Sequence, residues 1–259
     1  MRLNGFYIAG MILCTILFTG EISAQDLNAE QVIDKVENSI DASSAKMQLH
    51  MDLYSASGSK RSRALTVYMK KTEGRAKSYL RFTEPADIEG TAFLSLEQED
   101  GDEEMYLYMP VLGSVRRIAG SQKSGSFVGT DFSYNDMTIL GGGNYGEDYQ
   151  AQILEYNGNE YVLRLDPLDE DITYHHTVMR VPTSNWYPTK IEFFNEEESL
   201  EKRLTNEQIE QVDGNWTARK ITMENVEKGS RTVLELEEVQ YDVPIEDRIF
   251  TTRHLERGR

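Results

Sequence analysis

From Ala45 to Leu53 an apolar residue occupies every second position, with Lys46, Gln48, His50 and Asp52 between them. Successive side chains of a strand point to opposite faces, so this run predicts a strand with one buried face. Comparable runs follow at 62–71, 77–82, 91–96, 104–109, 149–156, 159–166, 174–181, 190–195, 200–209, 216–224 and 231–241. Most are separated by short turn pairs, Ser57-Gly58, Glu73-Gly74, Asn157-Gly158, Asp213-Gly214 and Lys228-Gly229, in which glycine supplies the positive φ of a tight hairpin. No helix-length connection recurs between the runs, which disfavours a parallel α/β sheet. The pattern predicts a mainly β chain whose antiparallel sheet curls into a sandwich or barrel.

Two stretches depart from this period of two. Between Asn28 and Ile40 the residues Val32, Val36 and Ile40 recur every fourth position with Ile33 beside them, predicting a helix with one docking stripe, capped by Asp26 or Asn28. Between Ile118 and Tyr149 the meander is interrupted by Gly120, Gly125, Gly129 and the triplet Gly141-Gly142-Gly143. Residues 134–140 of this stretch read as a short helix. Long irregular segments inside compact domains are functional or disordered, and Phe127, Phe132, Tyr134, Met137, Ile139 and Leu140 favour packing over disorder. The segment reads as a lid or plug across the sheet, with an ordinary packed crossover as the plainer alternative.

The first residues change the picture of where the chain works. Arg2, the apolar run from Phe6 to Phe18 and the small-residue end at Ile22-Ser23-Ala24 form the pattern of a secretory signal peptide over 1–24. That run is shorter than the ~20 apolar residues of a membrane-spanning helix. Cys14, the only cysteine, lies within it and follows Leu13 rather than a small residue, which disfavours a lipid-modified anchor. Residues 25–259 then form one domain without thiol or disulfide, stabilised through its core. Export through a cleaved signal predicts a periplasmic protein.

The formal net charge of −17 argues against nucleic acid as a partner. Yet residues 46–81 carry nine basic and two acidic side chains. The stretch is either a solvated face or an edge that meets anionic headgroups or an acidic partner; Arg61, Arg63, Lys70 and Lys71 are its candidates. Of four histidines, His175 and His176 are adjacent in a predicted strand and so expected on opposite faces, where they do not share a metal; Asp166, Asp169 and Asp171 read as a solvated loop. No Gly-x-Ser-x-Gly, His-Glu-x-x-His or phosphate-loop motif is present. No catalytic residue, metal or cofactor is expected.

Several short motifs fall in a familiar order: Arg81-Phe82-Thr83-Glu84-Pro85, Gly90-Thr91-Ala92, the acidic strand entry 102–104, Tyr106 and Tyr108 before Pro110, Val115-Arg116-Arg117-Ile118, and Phe127-Val128-Gly129-Thr130-Asp131-Phe132-Ser133-Tyr134. In this order the chain resembles the LolA-like outer-membrane lipoprotein-sorting family, most nearly the branch associated with exporters of the resistance-nodulation-division type. The resemblance implies an incomplete β-barrel with an N-terminal helix and a helical lid on its concave face, holding acyl chains of lipoproteins or lipids in transit to the outer membrane. It also implies transient contact with membrane surfaces and, as a possible partner, such an exporter. No catalytic residue comes with it.

On that reading the apolar cavity is lined by Met47, Leu49, Met51, Leu65, Val67, Met69, Phe82, Met105, Leu107 and Met109. The lid carries Phe127, Phe132, Tyr134, Met137 and Leu140. Unbranched thioethers adapt to changing ligand shapes, which suits such a wall. The rival reading from another class is a non-enzymatic accessory or sensor subunit of an envelope transporter, with the same fold used for protein contact.

Overall fold

The computed structural model describes residues 27–99, 101–139, 145–168 and 172–258. The expected signal peptide, Leu140, the glycine triplet at 141–143 and Asp169 to Asp171 lie outside these residues.

The strands are β1 Ser44–Tyr54, β2 Lys60–Thr72, β3 Arg75–Glu84, β4 Ala92–Glu97, β5 Glu103–Met109, β6 Ser114–Ile118, β7 Tyr149–Tyr156, β8 Glu160–Pro167, β9 His176–Pro182, β10 Lys190–Phe194, β11 Leu200–Val212, β12 Asn215–Asn225 and β13 Ser230–Tyr241. Twelve of these match the alternating runs within a few residues. The exception is β6, because the basic segment 115–118 carries no alternating apolar signal yet pairs with β5 through Met105 to Met109.

All thirteen strands form one antiparallel sheet in the order β6-β5-β4-β3-β2-β1-β13-β12-β11-β10-β9-β8-β7. Strands β1 to β6 form one hairpin meander and β7 to β13 another. The pairing of β1 with β13, from Ala45 opposite Tyr241 to Tyr54 opposite Arg231, joins them at the centre. The sheet is strongly curved and does not close into a barrel: β6 and β7 are its free edges. This order has a topological consequence. The chain leaving β6 must travel from one edge of the sheet to the other before β7 begins, and its described residues 119–139 and 145–148 lie across the concave face.

The helix α1, Ala29–Glu37, begins with a reciprocal cap. Asn28 Oδ1 accepts from the Gln31 amide at 2.8 Å, and Gln31 Oε1 accepts from the Asn28 amide at 3.0 Å, satisfying two otherwise orphaned donors. Its stripe of Val32, Ile33 and Val36 is buried in the concave core. The helix stops at Glu37, three residues before the expected Ile40. Two short helices follow within the crossing segment, α2 Asp136–Ile139 and α3 Tyr145–Asp148.

A second, smaller core lies on the convex face, where the alternation of β3 and β4 delivers Tyr79, Ala92 and Leu94. Residues after β13, which carry no periodic signal, supply its other half: Ile245, Phe250 and Leu255, the last from α4, Thr252–Arg257. Thr251 caps α4 through its hydroxyl to the His254 amide. Lys70 fastens this segment, donating to Ile245 O at 3.0 Å and to Asp247 Oδ1 at 2.9 Å.

Candidate functional site

Among the described residues, side chains of the sheet hold the crossing segment 119–148 at Val128, Asp131 and Asp136. Arg63 of β2 reaches up with Nη1 2.9 Å from the carbonyl of Val128, while its guanidinium lies 5.4 Å from the Phe82 ring centroid. Burial beneath the segment lowers the Arg63 pKa, with Arg61 adding to the effect, and the side chain remains a cation. Val128 itself sits at φ 48°, a conformation that is rare for a β-branched residue. The fold thus spends backbone strain at the point where this carbonyl faces the arginine.

At the second point Asp131 meets β13. Its amide donates to Thr232 Oγ1 at 3.0 Å, the Thr232 hydroxyl donates to Asp131 Oδ2 at 2.7 Å, and Ser230 donates to Oδ1.

The third point is a buried triad. Lys202 of β11 donates to Asp136 Oδ2 of α2 at 3.0 Å and to Tyr174 Oη at 2.8 Å, and Tyr174 donates to Asp136 Oδ1 at 2.9 Å. The Lys202 and Asp136 side chains are 9% and 1% exposed. Burial, then the Asp136 charge, pushes the Tyr174 phenol well above its ordinary pKa, so it stays a neutral donor. Breaking such a pair from one side leaves a charge buried alone, which costs about 3–5 kcal/mol.

Between these fastenings the segment inserts rings into the sheet. Phe127, fully buried, lies 6.1 Å from Phe82, 5.3 Å edge-on from Phe93 and 5.5 Å edge-on from Tyr134. Phe132 is buried in the same core. Such offset and edge arrangements are the favoured ones for aromatic pairs.

Beside this aromatic plug the concave face remains open as a cavity of about 270 Å³. Its walls come from both halves of the sheet, with Met47, Met69 and Met105 on one side, Ile191, Leu204 and Ile221 on the other, and Met137, Tyr145 and Val36 overhead. Burial raises the Tyr145 phenol and pushes Tyr187 up to about 12, so these two hydroxyls are uncharged. The mouth carries charge of both signs: Lys70, Lys71, Lys77 and Lys123 against Glu97, Glu103 and Asp148. Glu103 accepts from the Ser95 hydroxyl at 3.0 Å. Burial pushes its carboxyl up to about 7, with Asp148 and Glu97 adding to the rise and the Ser95 bond and Lys123 opposing it.

The sequence candidates divide between these two environments. Met47, Met69 and Met105 line the cavity, as does Met137 of the crossing segment. Leu49, Met51, Leu65, Phe82 and Leu107 are buried in the core, and Val67 and Met109 pack against it. Phe127, Phe132 and Tyr134 are buried there too. The four basic candidates also separate. Arg63 is spent on Val128 and Lys70 on the C-terminal segment. Arg61 and Lys71 are exposed at opposite ends of β2, about ten residues or ~33 Å apart along the strand, so the four do not form one patch.

Sequence reading missed the fastening residues Asp131, Asp136, Tyr174 and Lys202. Each is polar at a position where the pattern promised burial or loop, which is the only signal they give. The two histidines require a correction. His175 sits at a bend ahead of β9 rather than within the strand, so alternation does not apply, and both rings turn toward Glu198.

With this geometry in hand, a protein-family model described as "Uncharacterized protein" matches residues 74–257, more than half of the chain. The chain belongs to that family, and its fold is LolA-like. An outer membrane lipoprotein-sorting protein domain, so described, from Vibrio parahaemolyticus superposes with a TM-score of 0.81 at 26% identity, over 88% of this chain and 98% of that one. A DUF1329 family protein from Desulfovibrio piger gives 0.81 at 24% identity over 87% and 97%. A LolA superfamily protein from Nitrosomonas europaea gives 0.70 at 24% identity over 87% and 98%. No curated protein sequence matches the chain. The last two likenesses speak for the LolA-like fold alone; the first carries the lipoprotein-sorting description of a neighbour.

Proposed function

We propose that this LolA-like protein is a periplasmic carrier that takes acyl chains of a lipoprotein or lipid into the cavity beneath the 119–148 segment and releases them toward the outer membrane. The observation that carries this reading is the cavity itself: a methionine-bordered chamber with an apolar floor and charged mouth, covered by a segment fastened to the sheet through side chains rather than by strand pairing. At about 270 Å³ the cavity lies just below the ~300–1,000 Å³ of typical ligand sites. Lifting of the segment would enlarge it for cargo. Burying ten methylenes returns roughly 8 kcal/mol at ~0.8 kcal/mol each, enough to offset the loss of one or two fastenings. Lys71, exposed at the mouth, is placed to meet an anionic headgroup, and the expected signal peptide supplies the export. The neighbour from Vibrio parahaemolyticus described for lipoprotein sorting supports the same direction. A membrane exporter of the resistance-nodulation-division type is the partner this reading favours.

Native mass spectrometry of the protein drawn from envelope extract tests it. A carrier keeps acyl-bearing species that delipidation removes and added fatty acid restores. Bare protein in the extract that also refuses added fatty acid contradicts the reading.

A further inference from the structure

Away from the cavity, the entry to β9 and the turn between β10 and β11 bring His175, His176 and Glu198 together, with one ligating atom from each within 4.8 Å of the others. His175 Nε2 lies 3.2 Å from Glu198 Oε1, and its other nitrogen, Nδ1, lies 3.3 Å from Glu196 Oε2. His176 Nδ1 lies 3.8 Å from Glu198 Oε2. That ring is 5% exposed and stacks flat on Phe194 at 4.5 Å, and its Nδ1 is buried without a hydrogen-bond partner. A buried ring nitrogen left in this way costs free energy unless something coordinates it.

We propose that His175, His176 and Glu198 bind one divalent transition metal ion, with Zn²⁺ as the best match. Imidazole nitrogens with one carboxylate suit zinc and its borderline neighbours, whereas Mg²⁺ and Ca²⁺ take oxygen donors. Two histidines and one glutamate leave a fourth position for water or a further ligand. Ligand atoms around Zn²⁺ at about 2.0–2.2 Å stand ~3.3 Å apart, so the cluster must contract slightly. Glu198, 61% exposed, has the freedom to swing inward. The turn that carries it is held in place, because Asn195 Oδ1 accepts from the amides of Glu197 and Ser199.

Glu196 completes the arrangement. By accepting a hydrogen bond from His175 Nδ1–H it would leave Nε2 as the metal-binding atom, the carboxylate–histidine–metal pattern that raises ligand basicity. A bound ion would pin the start of β9 two residues from Tyr174, a member of the buried triad under the crossing segment.

Calorimetric titration of Zn²⁺ into metal-stripped, untagged protein, with elemental analysis afterwards, tests the site. One Zn²⁺ binds per chain, raises the melting temperature, and is not replaced by Mg²⁺. His175→Asn and Glu198→Gln, both at half-exposed or exposed positions, keep the fold by circular dichroism and lose the binding. Glu196→Gln weakens it about 10–100-fold without removing it. Absence of binding by the wild type, or equal uptake by the wild type and the His175→Asn/Glu198→Gln double variant, overturns the proposal.

Discussion

At one end of the concave face Phe82, Phe93, Phe127 and Tyr134 meet ring against ring at 5.3 to 6.1 Å and leave no room. At the other, Met47, Met69, Met105 and Met137 border a cavity of about 270 Å³. Both ends lie under the same crossing segment and are built by the same alternation of the same strands. The difference is in the side chains. Rings have few torsions and a fixed shape, so they hold one arrangement firmly. Thioethers on unbranched stems adjust to whatever occupies the space. The contrast assigns holding to the aromatic end and accommodation to the methionine end.

Truncation should separate the two. Phe127→Ala empties a dry, close-packed site and is expected to cost about 3–5 kcal/mol in urea unfolding. Met69→Ala enlarges a space that already exists, so only part of a transfer term is lost, about 1 kcal/mol. Affinity for a fluorescent fatty acid should respond in the other order relative to stability, falling for Met69→Ala while the fold stays intact. Equal destabilisation by the two substitutions would erase the distinction.

A smaller effect concerns the mouth of the methionine end. Glu103 has its carboxyl pushed from an ordinary 4.5 to about 7 by burial first, with Asp148 and Glu97 adding to it. Between those values the folded chain keeps a proton that the unfolded chain has released. Its favourable contribution is therefore complete below the unfolded value and is lost as pH rises through the folded one, at most roughly 3 kcal/mol at 1.36 kcal/mol per unit. Glu103→Gln should flatten the decline in melting temperature between mildly acidic and neutral pH. Parallel curves for the two proteins would place the carboxyl in contact with water instead.

Much of the sheet was legible because a period of two is a strong signal wherever one face is buried, as in β1, where Ala45, Leu49, Met51 and Leu53 are buried and Gln48 between them is exposed. The concave wall could be read in the same way, but alternation cannot tell which inward residues border empty space. Met47 and Met51 carry identical signals, yet one lines the cavity and the other is sealed in the core. Distinguishing them needs the path of the crossing segment, which follows from strand order and not from local pattern. The fastenings were illegible for a related reason: Lys202, Asp136 and Tyr174 lie 28 to 66 positions apart, and a single sequence gives no sign that they meet. Arg63 looked like one more surface cation in a basic stretch until Val128 was placed above it. The C-terminal cap on the convex face, with Phe250 and Leu255, belongs to a segment too short to show a period.

The central claim is that the 119–148 segment must move for cargo to enter, and locking it tests that most directly. Asp131 and Thr232 touch through three polar atoms across the gap between segment and β13, and Cys14 is the only cysteine of the native chain. An Asp131→Cys/Thr232→Cys variant, chosen because the two residues are in direct hydrogen-bond contact, can be oxidised to hold the segment down and reduced to free it. Uptake of a fluorescent fatty acid should be abolished in the oxidised form and restored by reduction, whereas equal uptake in both forms would contradict gating by this segment.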